Sequence, residues 1–168
     1  MKIAIISDSH DNIPNSKKTI NWIVGNKIKY LIHCGDISTA DTLKEVLTNY
    51  AGRAYIVFGN MDFDRFKIQE YITKNTSRVK YFDKIGEVEF GGKKIAFYHF
   101  PELAKKLAKS KKYDIVFYGH THKPWQEKIG KVKLANPGNV AGLFYKATFA
   151  VYDTIIGNLE LKIIENLK

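Results

Sequence analysis

The sequence predicts an α/β fold of two packed sheets with helices on their outer faces. Three observations indicate this class. Apolar β-branched runs alternate with segments of helical periodicity through the first half. The last third is mainly strand-like, and its alternating apolar residues need a second sheet face for burial. The 168 residues suffice for one core of ordinary size, so we expect a single domain over residues 1–168.

In the first half, three strand-and-helix units follow one another. Each predicted strand is a short apolar run, and each predicted helix repeats apolar residues at helical spacing. Pro14 favours the first turn of the first helix. The predicted strands are 2–7, 30–33 and 53–58. The predicted helices are 14–24, 39–50 and 66–73.

The second half begins with a predicted hairpin, because Gly91 and Gly92 stand between two strand-like segments and suit a tight turn. A helix over 101–112 is predicted from the spacing of its leucines and alanines. We expect the last two strands to turn at Gly157-Asn158. The predicted strands of this half are 84–90, 93–98, 114–118, 125–129, 131–135, 148–153 and 159–164.

The composition is basic, with 27 Lys and Arg against 17 Asp and Glu and a net charge of +10. These charges are scattered, so we expect a solvated surface that attracts phosphate esters in a general way, without a specific nucleic-acid site. No run of about 18 apolar residues is present, so we expect neither a membrane span nor a secretory signal. The single cysteine, Cys34, is expected in the core, and since it cannot form an internal disulfide we expect a cytoplasmic location.

Residues of metal-binding type follow five of the predicted strands. In an open α/β sheet, ligands gather at the carboxyl ends of strands, so we expect one shared site there. Two positions apart in an extended segment, Asp8 and His10 should point to the same side. The candidate ligands are Asp8, His10, Asp36, Asn60, His99, His120 and His122.

This set suits a pair of divalent cations. The Asp36 carboxylate can place one oxygen on each of two cations held ~3.5–4 Å apart. Two acids, one amide and four imidazoles favour Mn, Fe, Co, Ni or Zn over Ca or Mg. Such a pair is typical of phosphoester hydrolysis in which a metal-bridging hydroxide attacks phosphorus.

The ordered motifs resemble those of the calcineurin-like metallophosphoesterase superfamily. They are Asp8-x-His10, Gly35-Asp36, Gly59-Asn60-x-Asp62, His99 and Gly119-His120-x-His122. The chain is most similar to small phosphodiesterases of the YfcE type, whose fold is related to that of the retromer subunit Vps29. The resemblance implies a four-layer α/β/β/α sandwich and a metal-dependent phosphodiesterase with a dinuclear centre.

The resemblance also implies roles for the seven catalytic and metal-binding residues. By it, Asp36 bridges the two cations. Asp62 is expected to support a ligand histidine from behind. The first cation would be held by Asp8, His10 and His122, and the second by Asn60, His99 and His120.

The chain departs from the family pattern at two places. Met61 replaces a histidine that commonly follows the asparagine, and Phe100-Pro101 follows His99 where close relatives often carry Gly-His. Because these changes remove donors for a phosphate oxygen, we expect monoester hydrolysis to suffer more than diester hydrolysis. We expect substrate contacts from Asn60, Met61 and Phe100. Met61, Phe63, Phe100 and Pro101 could form an apolar rim, and Arg65 or Lys105 could meet a second substrate charge.

Three function classes remain open from the sequence. A phosphodiesterase acting on a small-molecule diester, without a membrane or a specific nucleic acid as partner, is favoured by the complete ligand set. A catalytically weak Vps29-like interaction scaffold would not need that set. A nuclease is motivated only by the basic charge. A homo-oligomer is compatible with all three.

Overall fold

A computed structural model describes residues 1–75 and 77–167 and confirms the predicted α/β class. Thr76 and Lys168, the two other residues of the predicted domain, lie outside the described residues. Within the described part, no helix combines the length and apolar character needed to cross a membrane. The helices are α1 (Ile13–Gly25), α2 (Ala40–Thr48), α3 (Arg65–Lys74), α4 (Pro101–Lys109) and a 3-10 helix (Ile164–Asn166).

The strands form two mixed sheets. The first contains, in spatial order, β11 (Asn158–Ile163), β10 (Thr148–Asp153), β1 (Lys2–Ile6), β2 (Tyr30–His33), β3 (Arg53–Val57) and β4 (Val79–Phe82). The second contains β5 (Gly86–Phe90), β6 (Lys93–Phe97), β7 (Ile115–Phe117), β9 (Val132–Asn136) and β8 (Trp125–Ile129). Strands β1 to β4 are parallel, as are β6, β7 and β9. Their carboxyl ends therefore meet at one edge of each sheet.

The helices and the two sheets are stacked in four layers, with clusters of core residues between them. On β1, Ala4 faces the helices, where Ile20 of α1 and Leu43 of α2 belong to its cluster. The next residue, Ile5, faces the second sheet and shares a cluster with Phe97 of β6. Helix α4 covers the far side of the second sheet. Because β1 is buried on both faces, its sequence is a continuous apolar run without polar alternation.

Three local differences from the sequence predictions have physical reasons. Strand β4 was not predicted, because its four residues form a short edge strand with only one fully buried side chain. Helix α4 ends at Lys109, earlier than predicted, because Lys111 adopts a left-handed φ of 60°. The turn between β10 and β11 spans 154–157, because Asn158, predicted in the turn, pairs with Asp153 as the first residue of β11. The hairpin at Gly91-Gly92 is confirmed, with positive φ at both glycines.

Candidate metal centre

The seven predicted ligands lie together at the carboxyl edge of the two sheets, in the loops after β1, β2, β3, β6 and β7. Backbone bonds hold neighbouring loops side by side: Asp8 N–H donates to Gly35 O at 3.0 Å, and Gly119 N–H donates to His99 O at 3.0 Å. One hydrogen bond connects the two sheets directly. The His120 N–H donates to the Asp8 carboxylate at 3.1 Å. The geometry of the site thus depends on the packing of one sheet against the other.

The first group of converging atoms consists of Asp8, His10 and His122. The His10 Nε2 and His122 Nε2 atoms are 3.2 Å apart, and the His122 Nε2 is 3.4 Å from Asp8 Oδ1. Donors at ~2.1 Å from one cation are separated from one another by distances of this order. These three side chains therefore fit one transition-metal ion.

A second group forms around His99. Its Nε2 is 3.0 Å from Asn60 Oδ1 and 3.4 Å from Asp36 Oδ2, and the His120 Nδ1 is 3.0 Å from the same Asn60 oxygen. The His99 Nδ1 donates to the Cys34 carbonyl at 2.9 Å. That bond places the proton on Nδ1, so the Nε2 lone pair faces the group, as a metal-binding histidine requires.

Asp36 lies between the two groups. Its Oδ2 atom is 3.4 Å from His99 Nε2 and 3.7 Å from His10 Nε2, while its Oδ1 accepts the Met61 N–H at 2.7 Å. Asp8, Asp36 and His99 also offer ligand atoms within 4.8 Å of one another. The arrangement provides two adjacent candidate cation sites, and Asp8 belongs to both.

The electrostatics of the site favour positive charge. Burial lowers the pKa of His99, but its hydrogen bond and attraction to Asp36 outweigh burial and raise the pKa above 6.5. The hydrogen bond from His122 to Asp8 likewise raises the pKa of His122. Burial would raise the pKa of Asp36, yet the contacts with His99 leave that pKa below its usual value. The field that holds protons on these imidazoles also attracts cations, which would displace those protons.

Residues 1–155 match the sequence profile of the calcineurin-like phosphoesterase superfamily domain. The chain belongs to this superfamily. It is 34% identical over 157 residues to the phosphodiesterase MJ0936 of Methanocaldococcus jannaschii, which covers 92% of this chain and 93% of that protein. It is 28% identical to a probable metallophosphoesterase, MJ0623, of the same organism, over 83% of this chain and 68% of that protein.

Several solved structures share this architecture. An archaeal phosphodiesterase superimposes with a TM-score of 0.90 at 30% identity, covering 97% of this chain and 99% of that chain. The E. coli phosphoesterase YfcE gives 0.67 at 18% identity, covering 98% and 100%. Chaetomium thermophilum Vps29 gives 0.70 at 17% identity, covering 97% and 95%. The last two similarities concern the fold alone.

In the present protein, the loops that carry the candidate ligands are not extended. Asp8 and His10 have φ values of 53° and 40°. The prediction that both side chains point to one side because the segment is extended is therefore wrong, although the two side chains do converge. Asp36, His120 and His122 also have φ between 58° and 67°. A left-handed residue turns the chain sharply at the strand end, and such strain is stored where the surrounding structure enforces it.

The glycine before each of three ligands leaves room for a neighbouring ligand. A Cβ atom on Gly59 would lie 2.0 Å from Asp36 Oδ1, and one on Gly119 would lie 2.7 Å from Asp8 Oδ2. A Cβ atom on Gly35 would lie 2.7 Å from His99 Nδ1. The Gly-Asp, Gly-Asn and Gly-His pairs of the sequence are therefore packing requirements of the site as well as turn signals.

The buried Asp62 carboxylate accepts hydrogen bonds from backbone N–H groups, whereas the sequence analysis expected it to support a ligand histidine. It accepts the N–H groups of Asp36 at 3.1 Å, Ile37 at 2.6 Å, Ser38 at 2.8 Å and Gly59 at 2.6 Å. Asp36 and Ser38 have positive φ, which directs the successive amides of their loop toward one anion. Asp62 thus positions the Asp36 loop and the Asn60 loop together.

The side chains proposed for substrate contact lie in different surroundings. Met61 is exposed beside Asn60, and the Phe100 ring lies 4.8 Å from the rings of both His99 and His120. Phe63 is exposed and Pro101 is half-buried. Arg65 donates to the Gly59 carbonyl at 2.6 Å, so it also fixes the Asn60 loop. Lys105 is exposed on α4.

His33, which the sequence analysis did not assign to the site, positions two of its loops. It is buried at the end of β2, where its Nδ1 accepts the Gly35 N–H at 3.2 Å and its Nε2 lies 3.1 Å from Ser9 Oγ. It therefore joins the Asp36 loop to the loop of Asp8 and His10. A histidine directly before a Cys-Gly-Asp motif was the only available signal. Its neighbour Cys34 is buried in the core, as expected, and burial raises the pKa of the thiol.

We expect His33 to make the metal-free protein sensitive to mild acid. Burial lowers the pKa of His33 to about 4, although Asp62, Asp8 and Asp36 pull in the opposite direction. Between about pH 4 and 6.5 the unfolded chain therefore binds a proton that the folded chain excludes, so stability falls as the pH falls.

Urea unfolding of the metal-free protein and of His33→Asn measures this effect. Asparagine keeps an acceptor for the Gly35 N–H and lacks the titrating imidazole. The difference in unfolding free energy between the two proteins should shrink or reverse as the pH falls through this range. A difference that stays constant over the range would contradict the assignment.

Proposed function

We propose that this protein hydrolyses phosphodiesters of small molecules at a dinuclear metal centre. The observation that carries the proposal is the convergence of seven oxygen and nitrogen donors from five strand ends, with the Asp36 carboxylate between the two groups. The phosphodiesterase relative in M. jannaschii, which matches nearly the whole chain, supports the same activity. A pure interaction scaffold would not require this donor set.

The residues of this chain would bind the two cations in two groups. Asp8, His10 and His122 would hold the first cation, and Asn60, His99 and His120 the second, with Asp36 bridging. When bound, the two cations supply a water of lowered pKa as nucleophile and positive charge for the phosphoryl oxygens. The imidazoles favour Mn, Fe, Co, Ni or Zn. Asn60 and His120 are exposed, so the centre opens to solvent on their side.

The surroundings of the second group support a preference for diesters. Met61 offers a thioether and Phe100 an aromatic ring where a monoester would need proton donors for its additional charge. A diester carries one negative charge fewer and has an organic group on each side. We therefore infer that diesters are hydrolysed faster than the corresponding monoesters.

Metal removal tests the function directly. We expect chelator-treated protein to lose hydrolysis of bis(p-nitrophenyl) phosphate and to regain it when Mn, Ni, Co or Zn is added. Elemental analysis of the reactivated protein should find two cations per chain. p-Nitrophenyl phosphate, the matched monoester, should react at least about tenfold more slowly, since one missing electrostatic contact is worth that much or more.

The scaffold alternative makes the opposite prediction. Protein purified without chelators would then contain less than one transition-metal ion per chain and would not cleave the diester with any of the four metals. That pair of results would overturn the proposed function.

A further inference from the structure

An exposed phenylalanine stands beside the metal centre in an unfavourable backbone conformation. The Phe144 side chain is 89% exposed, and its ring centroid lies 5.6 Å from that of His122. Its φ is 63°, a left-handed value that bulky residues rarely adopt. The Tyr145 N–H donates to the Leu143 carbonyl at 2.7 Å, which closes a tight turn around Phe144.

The loop that carries Phe144 is firmly attached to the site. Asn139 connects the two: its Nδ2 donates to the His122 carbonyl at 3.1 Å, and its Oδ1 accepts the Leu143 N–H at 2.8 Å. The Ala141 N–H donates to the Asp8 carbonyl at 3.1 Å. These bonds connect the Phe144 loop to two residues of the first group, so the backbone that carries the exposed ring is anchored beside the site.

Folding alone does not account for this residue. A glycine would adopt the same φ without strain, as Gly142 does two residues earlier with φ 77°. The ring gains little from burial, because it is almost fully exposed. A strained, exposed aromatic residue on an anchored loop next to a candidate ligand histidine is typical of a ligand-binding surface.

We infer that Phe144 is a specificity-determining residue that stacks on a planar aromatic group of the diester substrate. The inference rests on the proposed function and names its substrate class: a diester in which one ester group carries an aryl ring or a nucleobase. Because the exposed Phe144 ring lies beside His122, an aromatic ester group of a diester bound at this side of the candidate centre would meet it. Phe144 would act by binding, and it takes no part in proton transfer.

Phe100 does not offer an equivalent surface. Its ring is half-buried and packs against Tyr98 at 5.8 Å as well as against His99 and His120. A ring with neighbours on several sides has less free face for a ligand. The aromatic subsite is therefore assigned to the His122 side of the centre.

Calorimetry on the metal-loaded protein tests the inference with two slowly hydrolysed ligands, diphenyl phosphate and dibutyl phosphate. Phe144→Leu keeps an apolar side chain but removes the ring, and should weaken binding of diphenyl phosphate by about 5- to 100-fold. Phe144→Tyr keeps the ring and should bind like the parent. Dibutyl phosphate should bind all three proteins equally well, because a flexible chain does not stack.

Ile155→Ala is the matched control. Ile155 is 79% exposed, but it follows β10 at the edge where β1 begins, opposite the edge that carries the metal centre. Its removal should leave both affinities unchanged. An unchanged affinity of Phe144→Leu for diphenyl phosphate, or an equal loss for the dibutyl ligand, would overturn the assignment.

Steady-state kinetics distinguish whether the aromatic group of the substrate is a nucleobase or an aryl ring. The p-nitrophenyl esters of thymidine 5′-phosphate and of phenyl phosphate share a leaving group and differ in the retained group. If Phe144 stacks on a nucleobase, kcat/KM for the thymidine ester should be lower in Phe144→Leu than in the parent and should equal the parent value in Phe144→Tyr. If it stacks on an aryl ring, the phenyl ester should show this pattern. If the parent protein binds diphenyl phosphate through Phe144 but hydrolyses no diester, the proposed function fails and the binding assignment stands.

Discussion

Asp36→Asn should abolish phosphodiester hydrolysis while leaving the fold intact. The substitution keeps an oxygen for the Met61 N–H but replaces the Oδ2 atom that lies between His99 and His10. Loss of one electrostatic contact in an active site already lowers kcat by about 10²–10³-fold, and Asp36 lies between the two candidate cation sites, so we expect a fall of at least about 10³-fold. Initial rates on bis(p-nitrophenyl) phosphate at saturating metal measure it.

The metal content should fall at the same time, because a neutral amide cannot offset the repulsion between two cations. Elemental analysis should find at most one cation per chain in Asp36→Asn. Asp41→Asn is the matched control, since Asp41 is an exposed α2 residue paired with Lys44. Retention of more than a tenth of the parent rate by Asp36→Asn would rule out the bridging role.

Asp62→Ala should cause the largest loss of stability among the substitutions considered. It leaves four backbone N–H groups, those of Asp36, Ile37, Ser38 and Gly59, without their buried acceptor. A single unpaired buried group costs about 1–3 kcal/mol, and entering water would recover part of the total, so we expect a loss of about 3–5 kcal/mol. Urea unfolding at neutral pH measures it.

The same variant should bind metal about 10- to 100-fold more weakly, because a residue that positions a ligand loop typically contributes that much. Asp62→Asn should lie between the parent and the alanine variant, since one oxygen remains. The nearby Asp64→Ala removes only a partly exposed pairing with Lys67 and should change stability by less than about 1 kcal/mol. If Asp62→Ala and Asp64→Ala were equally stable, the four amide bonds would have no energetic importance.

Local patterns were sufficient for most of the fold. The helices and most strands appear where periodicity and turn residues predicted them, because each depends on side chains within about ten residues of one another. Helix α1 illustrates this, since Pro14 and the apolar spacing set its start and its buried face. Strand β4 was missed because its pairing with β3 comes from tertiary packing and not from its own four residues.

The donor types and their places at strand ends were readable from the sequence, and so was the family. The family resemblance also implied which donors would share a cation, but only the tertiary structure shows their contacts, because Asp8 meets His120 and His122 across more than a hundred residues and two sheets. The tertiary structure also decided that Asp62 binds amides, that His33 joins two loops, and that Phe144 lies beside His122. Contacts between distant loops depend on how the sheets pack and on strained backbone at the strand ends, and neither leaves a periodic signal in the sequence.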